Sequence, residues 1–331
     1  MADYEIREYR AGDLPSLLET FELCFARPGA DRPARTAAEW SYTYEQNPAG
    51  WRIWVAATEG KVVAQYAARP YRVWLDGHVR SFAEIVDSMV HPDHRMGLKA
   101  PGLFVQTARP FFDAYGGPNH PKDMVHYGWP IEAAYRIGKL FLGYSVLRSQ
   151  TALAREPGPG GVELPQGVEV LERFDASVDP LYERCKNGWG ASTIRDAAFL
   201  NWRFVDHPQH DYTLFAVRAG DGALRGYAVY RTGDWILPHM GLVADFLVPT
   251  DEDEVARALT EALLARARAD RVSTIGLFLP EWSSWFERFQ DWGFLVWPTP
   301  YNMIVRAFDP KYSLFWLRDH WWFTLADSDL V

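Results

Sequence analysis

Val86-Asp87-Ser88-Met89-Val90-His91-Pro92-Asp93-His94-Arg95-Met96-Gly97-Leu98-Lys99-Ala100 decides how this chain is read, because its first half recurs as Ala244-Asp245-Phe246-Leu247-Val248 before Pro249. Each copy is a mostly apolar run with one aspartate, stopped by a proline that cannot continue a strand ladder. Working outward, the likeness extends in both directions. Tyr42, Pro48, Trp54 and Tyr66 are spaced 6, 6 and 12 residues apart, and Trp202, Pro208, Phe215 and Tyr227 are spaced 6, 7 and 12. Each half closes on a glycine followed by an aromatic residue, Gly143-Tyr144 and Gly293-Phe294. A likeness about 150 residues long is too long for a solenoid repeat and indicates a duplicated domain.

Length and composition agree. A chain of 331 residues exceeds the size at which one core keeps growing, and 48% apolar content can fill two cores. No run approaches the roughly 20 apolar residues that span a bilayer, so no membrane partner is expected. Met1-Ala2-Asp3-Tyr4-Glu5 lacks the basic and apolar regions of an export signal, and Cys24 and Cys185 are too few for a disulfide framework. A cytoplasmic location with two buried reduced thiols is expected. The net charge of -9 argues against general nucleic-acid binding, so an anionic ligand must meet a local basic site.

Glu156-Pro157-Gly158-Pro159-Gly160-Gly161 is the clearest break, since proline removes donors and glycine disfavours regular structure. The expected organisation is a first domain at 1–155, a linker at 156–161, a second domain at 162–308, and a terminal segment at 309–331. That last segment holds Tyr312, Phe315, Trp316, Trp321, Trp322 and Phe323, which is too apolar for a free tail and should dock on the body. The first half predicts strands over 52–57 and 62–68 around a Glu59-Gly60 turn, continued over 69–79, then a strand over 82–90. A helix over 101–115, a strand over 124–128 and a helix over 132–141 follow. The second half repeats the order with strands over 213–218, 226–231 and 242–248, a helix over 252–269, a strand over 274–279 and a helix over 283–292. The fold class is α+β, a mixed α/β pattern made twice, each copy a mixed, largely antiparallel sheet flanked by helices.

The run from Val86 to Ala100 reads strand, tight turn, helix start. Backbone N–H groups in such a turn, with the positive end of the next helix, form a cradle for a pyrophosphate, and Arg95 and Lys99 add charge. Here the chain resembles the GNAT acyltransferase superfamily, whose acyl-CoA loop follows a strand as V-x-P and then Arg-x-x-Gly-x-Gly/Ala. Arg95 and Ala100 fall on the outer positions of that motif, while Leu98 replaces its middle glycine and Gly97 stands one place earlier. The tandem arrangement is similar to that of mycothiol synthase-like double-GNAT proteins. The resemblance implies acetyl-CoA or another acyl-CoA as co-substrate, bound by Ser88, Met89, Val90, Arg95, Met96, Gly97, Leu98, Lys99 and Ala100. In the second copy Asp251-Glu252-Asp253-Glu254 stands where the first has its basic loop. Those carboxylates suit a helix N-terminus and would repel a pyrophosphate, so one CoA per chain is expected.

Acyl transfer from a thioester to an amine needs a proton acceptor, a donor to the carbonyl oxygen and a proton for the leaving thiolate. Strict alternation puts Glu84, Val86 and Ser88 on one face of the strand and Asp87 on the other. The family resemblance favours Glu84 as the base, since Phe82-Ala83-Glu84-Ile85-Val86 resembles the strand on which histone-type members carry a glutamate. Asp87 is the second candidate, although its repetition as Asp245 points to a structural role. The family's thiolate-protonating tyrosine would fall at Lys139, so Tyr135, one turn earlier, is the nearest candidate. His91, His94, His120 and His126 lack metal-ligand spacing, and no Gly-x-Ser-x-Gly appears, so neither a metal nor a serine nucleophile is expected. The expected activity is transfer of an acyl group, most simply acetyl, to an amine of a small metabolite. The same fold would serve a donor on a carrier protein or aminoacyl-tRNA, and a non-catalytic CoA-binding scaffold is the alternative of another class. The oligomeric state is not legible.

Overall fold

The computed structural model describes residues 3–25, 34–95, 101–117 and 122–330. In chain order the first half contains β1 (Glu5–Glu8), α1 (Leu14–Phe25), α2 (Ala37–Tyr44), β2 (Arg52–Thr58), β3 (Lys61–Leu75), β4 (His78–Val90), α3 (Leu103–Tyr115), β5 (Val125–Gly128), α4 (Glu132–Phe141) and β6 (Ser145–Arg155). The second contains β7 (Val168–Leu171), α5 (Val178–Lys186), β8 (Ala191–Thr193), α6 (Ala197–Leu200), β9 (Thr213–Arg218), β10 (Leu224–Gly233) and β11 (Met240–Leu247). It continues with α7 (Asp253–Ala269), β12 (Ile275–Leu277), α8 (Ser284–Asp291), β13 (Leu295–Ala307), α9 (Leu314–His320) and β14 (Trp321–Trp322).

These elements cluster into two compact units. The first comprises Met1–Arg72, Arg80–Arg148 and Asn302–Phe315, the second Val73–Val79, Ser149–Tyr301 and Trp316–Val331. The first orders its strands β1-β2-β3-β4-β5-β13, and the second β6-β12-β11-β10-β9-β7. Each contains a parallel pair flanked by an antiparallel strand, β4 with β5 in the first and β11 with β12 in the second, where β8 and β14 also run parallel. The flanking strand comes from the other half of the sequence. Ile304 of β13 pairs with Gly128 of β5, and Gly276 of β12 pairs with Ala154 of β6. The Pro-Gly break at 156–161 lies inside the second unit, and the part of β13 from Asn302 lies in the first.

Local chemistry explains most boundaries. Glu59 and Gly60 both take positive φ, as a two-residue hairpin turn requires, and so do Asp76 and Gly77. The second turn corrects the continuous extension expected over 69–79: β3 ends at Leu75 and β4 begins at His78. Both closing glycines, Gly143 and Gly293, adopt the left-handed conformation, and Leu142 N–H and Phe294 N–H return to Gly138 and Phe289 carbonyls. α7 differs from expectation. Its N-cap Glu252 makes no side-chain capping bond and is committed to arginines instead, Arg225 and, at 3.1 Å, Arg184.

One core cluster in the first unit packs Leu17 and Phe21 of α1 and Trp40 and Tyr44 of α2 on one face of the sheet. Another packs Val105, Phe111 and Phe112 of α3 on the opposite face, with Tyr135 and Ile137 of α4 beside it. In the second unit α7 and α8 contribute Leu259, Leu263, Trp285 and Phe289 to one large cluster. The terminal aromatic segment supplies Trp321, Trp322 and Phe323, all buried, and Trp322 stacks on Trp189 with ring centroids 4.4 Å apart.

A buried ion cluster ties this segment down. Arg195, 1% exposed, spans two carboxylates, reaching Asp327 at 2.6 and 2.9 Å and Asp245 at 3.2 and 3.4 Å. Thr324 and Tyr227 hydroxyls complete the shell of Asp245 at 2.7 and 2.8 Å. Removing one member of such a pair leaves charge in low dielectric. Arg195→Met should therefore cost about 3–5 kcal/mol in urea unfolding, more than an apolar replacement of an exposed arginine. A fragment ending at Glu156 lacks the β13 partner of β5, and should fail to give a cooperative monomeric transition in circular dichroism.

Candidate functional site

β4 places the candidate residues. It pairs with β5 over Phe82, Ala83 and Glu84 only, opposite Val125, His126 and Tyr127, after which the register ends. Asp87 then takes φ 52, a left-handed conformation that a non-glycine residue adopts at a cost of order 1–2 kcal/mol. Surrounding contacts hold it there. Arg35 bonds its carboxylate, Tyr44 Oη donates to the same oxygen at 2.7 Å, and Gln65 Nε2 donates to the Asp87 carbonyl at 2.9 Å. The irregularity resets the strand's faces. Val86 and Met89, three residues apart, share the cluster beneath α1 and α2, which strict alternation forbids.

This corrects the expected separation of the two carboxylates. Glu84 lies two residues before Val86 and so faces the α1 and α2 side, and Asp87 meets Tyr44 of α2 on that side too. Glu84 is fully buried, held by Arg69 Nη2 at 2.6 Å and Nε at 3.2 Å, and by Tyr71 Oη at 2.9 Å. Asp87 keeps 20% of its side chain exposed. Burial alone would push Asp87 upward, but Arg35 and the Tyr44 hydroxyl outweigh it, and the charge of Arg69 adds to them, holding the carboxyl below the usual range. Tyr135 is elsewhere: it packs with the α3 and α4 cluster on the opposite face, with Lys139 Nζ 6.0 Å above its ring.

Where β4 and β5 part, a cavity of about 410 Å³ opens. Ser88, Met89 and Val90 line it from β4, Gly102 to Val105 from the start of α3, Ile131, Ile137 and Phe141 from the region of α4, and Cys24 and Phe25 from the end of α1. Arg95 joins the lining, its Nε donating to the Val90 carbonyl at 3.0 Å. The Ser88 hydroxyl is buried with no hydrogen-bond partner among the described residues. Gly102 caps α3 with no side chain; its carbonyl takes the Val105 N–H at 3.0 Å, and the Leu103 and Phe104 N–H groups meet no capping side chain from it. Of the residues expected to bind the co-substrate, Ser88, Met89, Val90 and Arg95 thus come together; Met96, Gly97, Leu98, Lys99 and Ala100 lie outside the described residues.

The cavity lining from α1, α3 and α4, and the clamp residues Arg35, Tyr44, Arg69 and Tyr71, were not singled out from sequence. One signal was available for Arg35. It precedes the N-cap Thr36 of α2 and stands seven residues before Tyr42, as Arg195 precedes the N-cap Asp196 of α6 and stands seven before Trp202.

The second unit has a more polar cavity of about 530 Å³ beyond β11, lined among others by Arg184, Cys185, Trp189, Pro249, Asp251 and Trp282. Its acidic run is met by arginines: Arg184 and Arg225 bond Glu252, and Arg257 bonds Asp253 at 2.9 Å. Among the described residues no group of three His, Cys, Asp or Glu is placed to hold a metal ion, and no helix is long and apolar enough to cross a membrane.

Residues 5–101, which carry the parted strand and its irregularity, match the acetyltransferase (GNAT) domain family. Solved structures extend the fold over nearly all of the chain. A probable N-acyltransferase of Enterococcus faecalis V583 superposes with a TM-score of 0.67 at 14% identity, covering 96% of this chain and 74% of its own. A GCN5-related N-acetyltransferase from Anabaena variabilis gives 0.61 at 13% identity, with 93% and 73% covered. Saccharomyces cerevisiae N-myristoyltransferase with bound myristoyl-CoA gives 0.59 at 11%, with 93% and 79% covered. No curated protein matches the sequence.

Because Asp87 is held below its ordinary value near 3.8, the unfolded chain takes up this proton first as pH falls. The stability it contributes is complete above that value and fades as pH drops through the lower folded one. Asp87→Asn should thus lower stability by about 2–3 kcal/mol at pH 7, and the gap from wild type should narrow in thermal melts below about pH 4.

Proposed function

We propose that the protein transfers an acyl group from acyl-CoA to an amine of a small metabolite. The observation that carries this reading is the cavity at the parting of β4 and β5, with Arg95 and the start of α3 in its lining. The β4 edge beyond Ile85 has no register with β5, so its backbone can pair with the amides of a pantetheine arm. Arg95 and the first-turn N–H groups of α3 suit the pyrophosphate. The buried Ser88 hydroxyl, next to the Asp87 irregularity, is a donor available to the thioester side of the ligand.

In this reading the amine attacks the thioester carbonyl, the C–S bond breaks, and the thiolate leaves with a proton. No covalent enzyme intermediate is required. Of the two carboxylates, Asp87 is the one adjoining the cavity through Ser88 and partly exposed, whereas Glu84 is enclosed by Arg69 and Tyr71. Attack on the carbonyl acidifies the nitrogen, so a carboxylate held ionised by Arg35 can accept its proton at that stage. Glu84 then positions Arg69, whose charge helps keep Asp87 ionised. Tyr135, the candidate for protonating the thiolate, packs on the other face and is not among the residues that line the cavity.

Isothermal titration with CoA should give one site per chain, and Arg95→Glu should weaken it more than tenfold with little change in melting temperature, since an exposed charge contributes little to stability. In steady-state assays with a panel of amines, Asp87→Asn should lower turnover roughly 10²-fold while CoA affinity, which also reports folding, stays near wild type. A comparable loss in Glu84→Gln with Asp87→Asn unaffected would return the base to Glu84.

A further inference from the structure

The cavity is lined mostly by apolar side chains. Among its described side chains only Ser88 and Arg95 are polar, apart from the Cys24 thiol. That thiol is already spent on the Val90 carbonyl at 3.2 Å, and Arg95 Nε on the same oxygen. The walls come from both faces of the sheet: Leu103 and Phe141 belong to α3 and α4, and Cys24 and Phe25 to the α1 side, where Met89 also packs. A pantetheine arm carries amides and finds its partners along the β4 edge. The lining contributed by α1, Cys24 and Phe25, adds no other hydrogen-bonding side chain. Apolar walls gain by taking hydrocarbon, and beside the pantetheine arm the Cys24 and Phe25 wall is the part of the lining that an acyl chain longer than acetyl would cover.

Resting on the reading of this site as the acyl-CoA site, we propose that the preferred donor carries a straight hydrocarbon acyl chain several carbons longer than acetyl, its methylenes lying against Cys24, Phe25 and Met89.

The test is binding of acetyl-, butanoyl-, hexanoyl- and octanoyl-CoA to the full chain, with each variant judged by its own octanoyl-to-acetyl affinity ratio. Each added pair of methylenes should tighten binding roughly tenfold until the cavity is full. Cys24→Phe, which fills the α1 side, should flatten the series, and Cys24→Ala, which leaves the space, should keep it. Because the readout is a ratio within one protein, partial misfolding does not imitate the effect. Binding of every CoA with flat or falling affinity along the series would overturn the inference and leave the CoA site standing. An unchanged slope in Cys24→Phe would overturn the placement of the chain. Failure to bind any CoA would remove both the inference and the reading beneath it.

Discussion

An arginine bonded to an aspartate on a sheet strand is the interaction on which each half is organised. Arg35 meets Asp87 and Arg195 meets Asp245, and in both halves the arginine comes immediately before the N-cap of a short helix. A carboxylate inside a sheet core is tolerable only with a partner in bonding range. The pair therefore fixes where α2 and α6 begin relative to the strand they cover. In the first half it also holds Asp87 in the left-handed conformation, which interrupts the regular alternation of the strand. The position of the cavity follows, since Ser88, Met89 and Val90 are aimed by the backbone that leaves Asp87.

The two halves spend the same frame differently. In the first, the helix after the strand starts at an uncapped glycine with Arg95 nearby, which leaves donors for an anion. In the second, the equivalent helix starts in carboxylates that engage Arg184, Arg225 and Arg257, so the local cations are used within the fold. Asp245 gains what Asp87 lacks, a second carboxylate through Arg195 and the hydroxyl of Thr324. The clamp that positions a cavity in one copy anchors the terminal aromatic segment in the other.

The sequence made the duplication, the strand-helix order and the parted strand's importance legible, because apolar periodicity and the Gly-aromatic steps are local signals. It concealed α1 and α2. α1 follows a 3-10 turn with Pro15 inside its first turn, and α2 is eight residues rich in aromatics, announced only by the capping box of Thr36 and Glu39. The Asp76-Gly77 turn was as readable as Glu59-Gly60 and was passed over because strand-forming residues continue on both sides. The common face of Glu84 and Asp87 was beyond reach: alternation is the correct default, and only tertiary contacts from Arg35, Tyr44 and Gln65 suspend it. Partners of that kind lie far apart in sequence and leave no periodic trace.

The crossed strands carry a consequence for synthesis. Gly128 emerges early and waits for Ile304, which is made near the end of the chain, and Ala154 waits in the same way for Gly276. Neither pairing can form until its later strand has been made, so β5 keeps an open edge while the intervening residues are synthesised. Long-range pairing of this type is slow to form and vulnerable until it does.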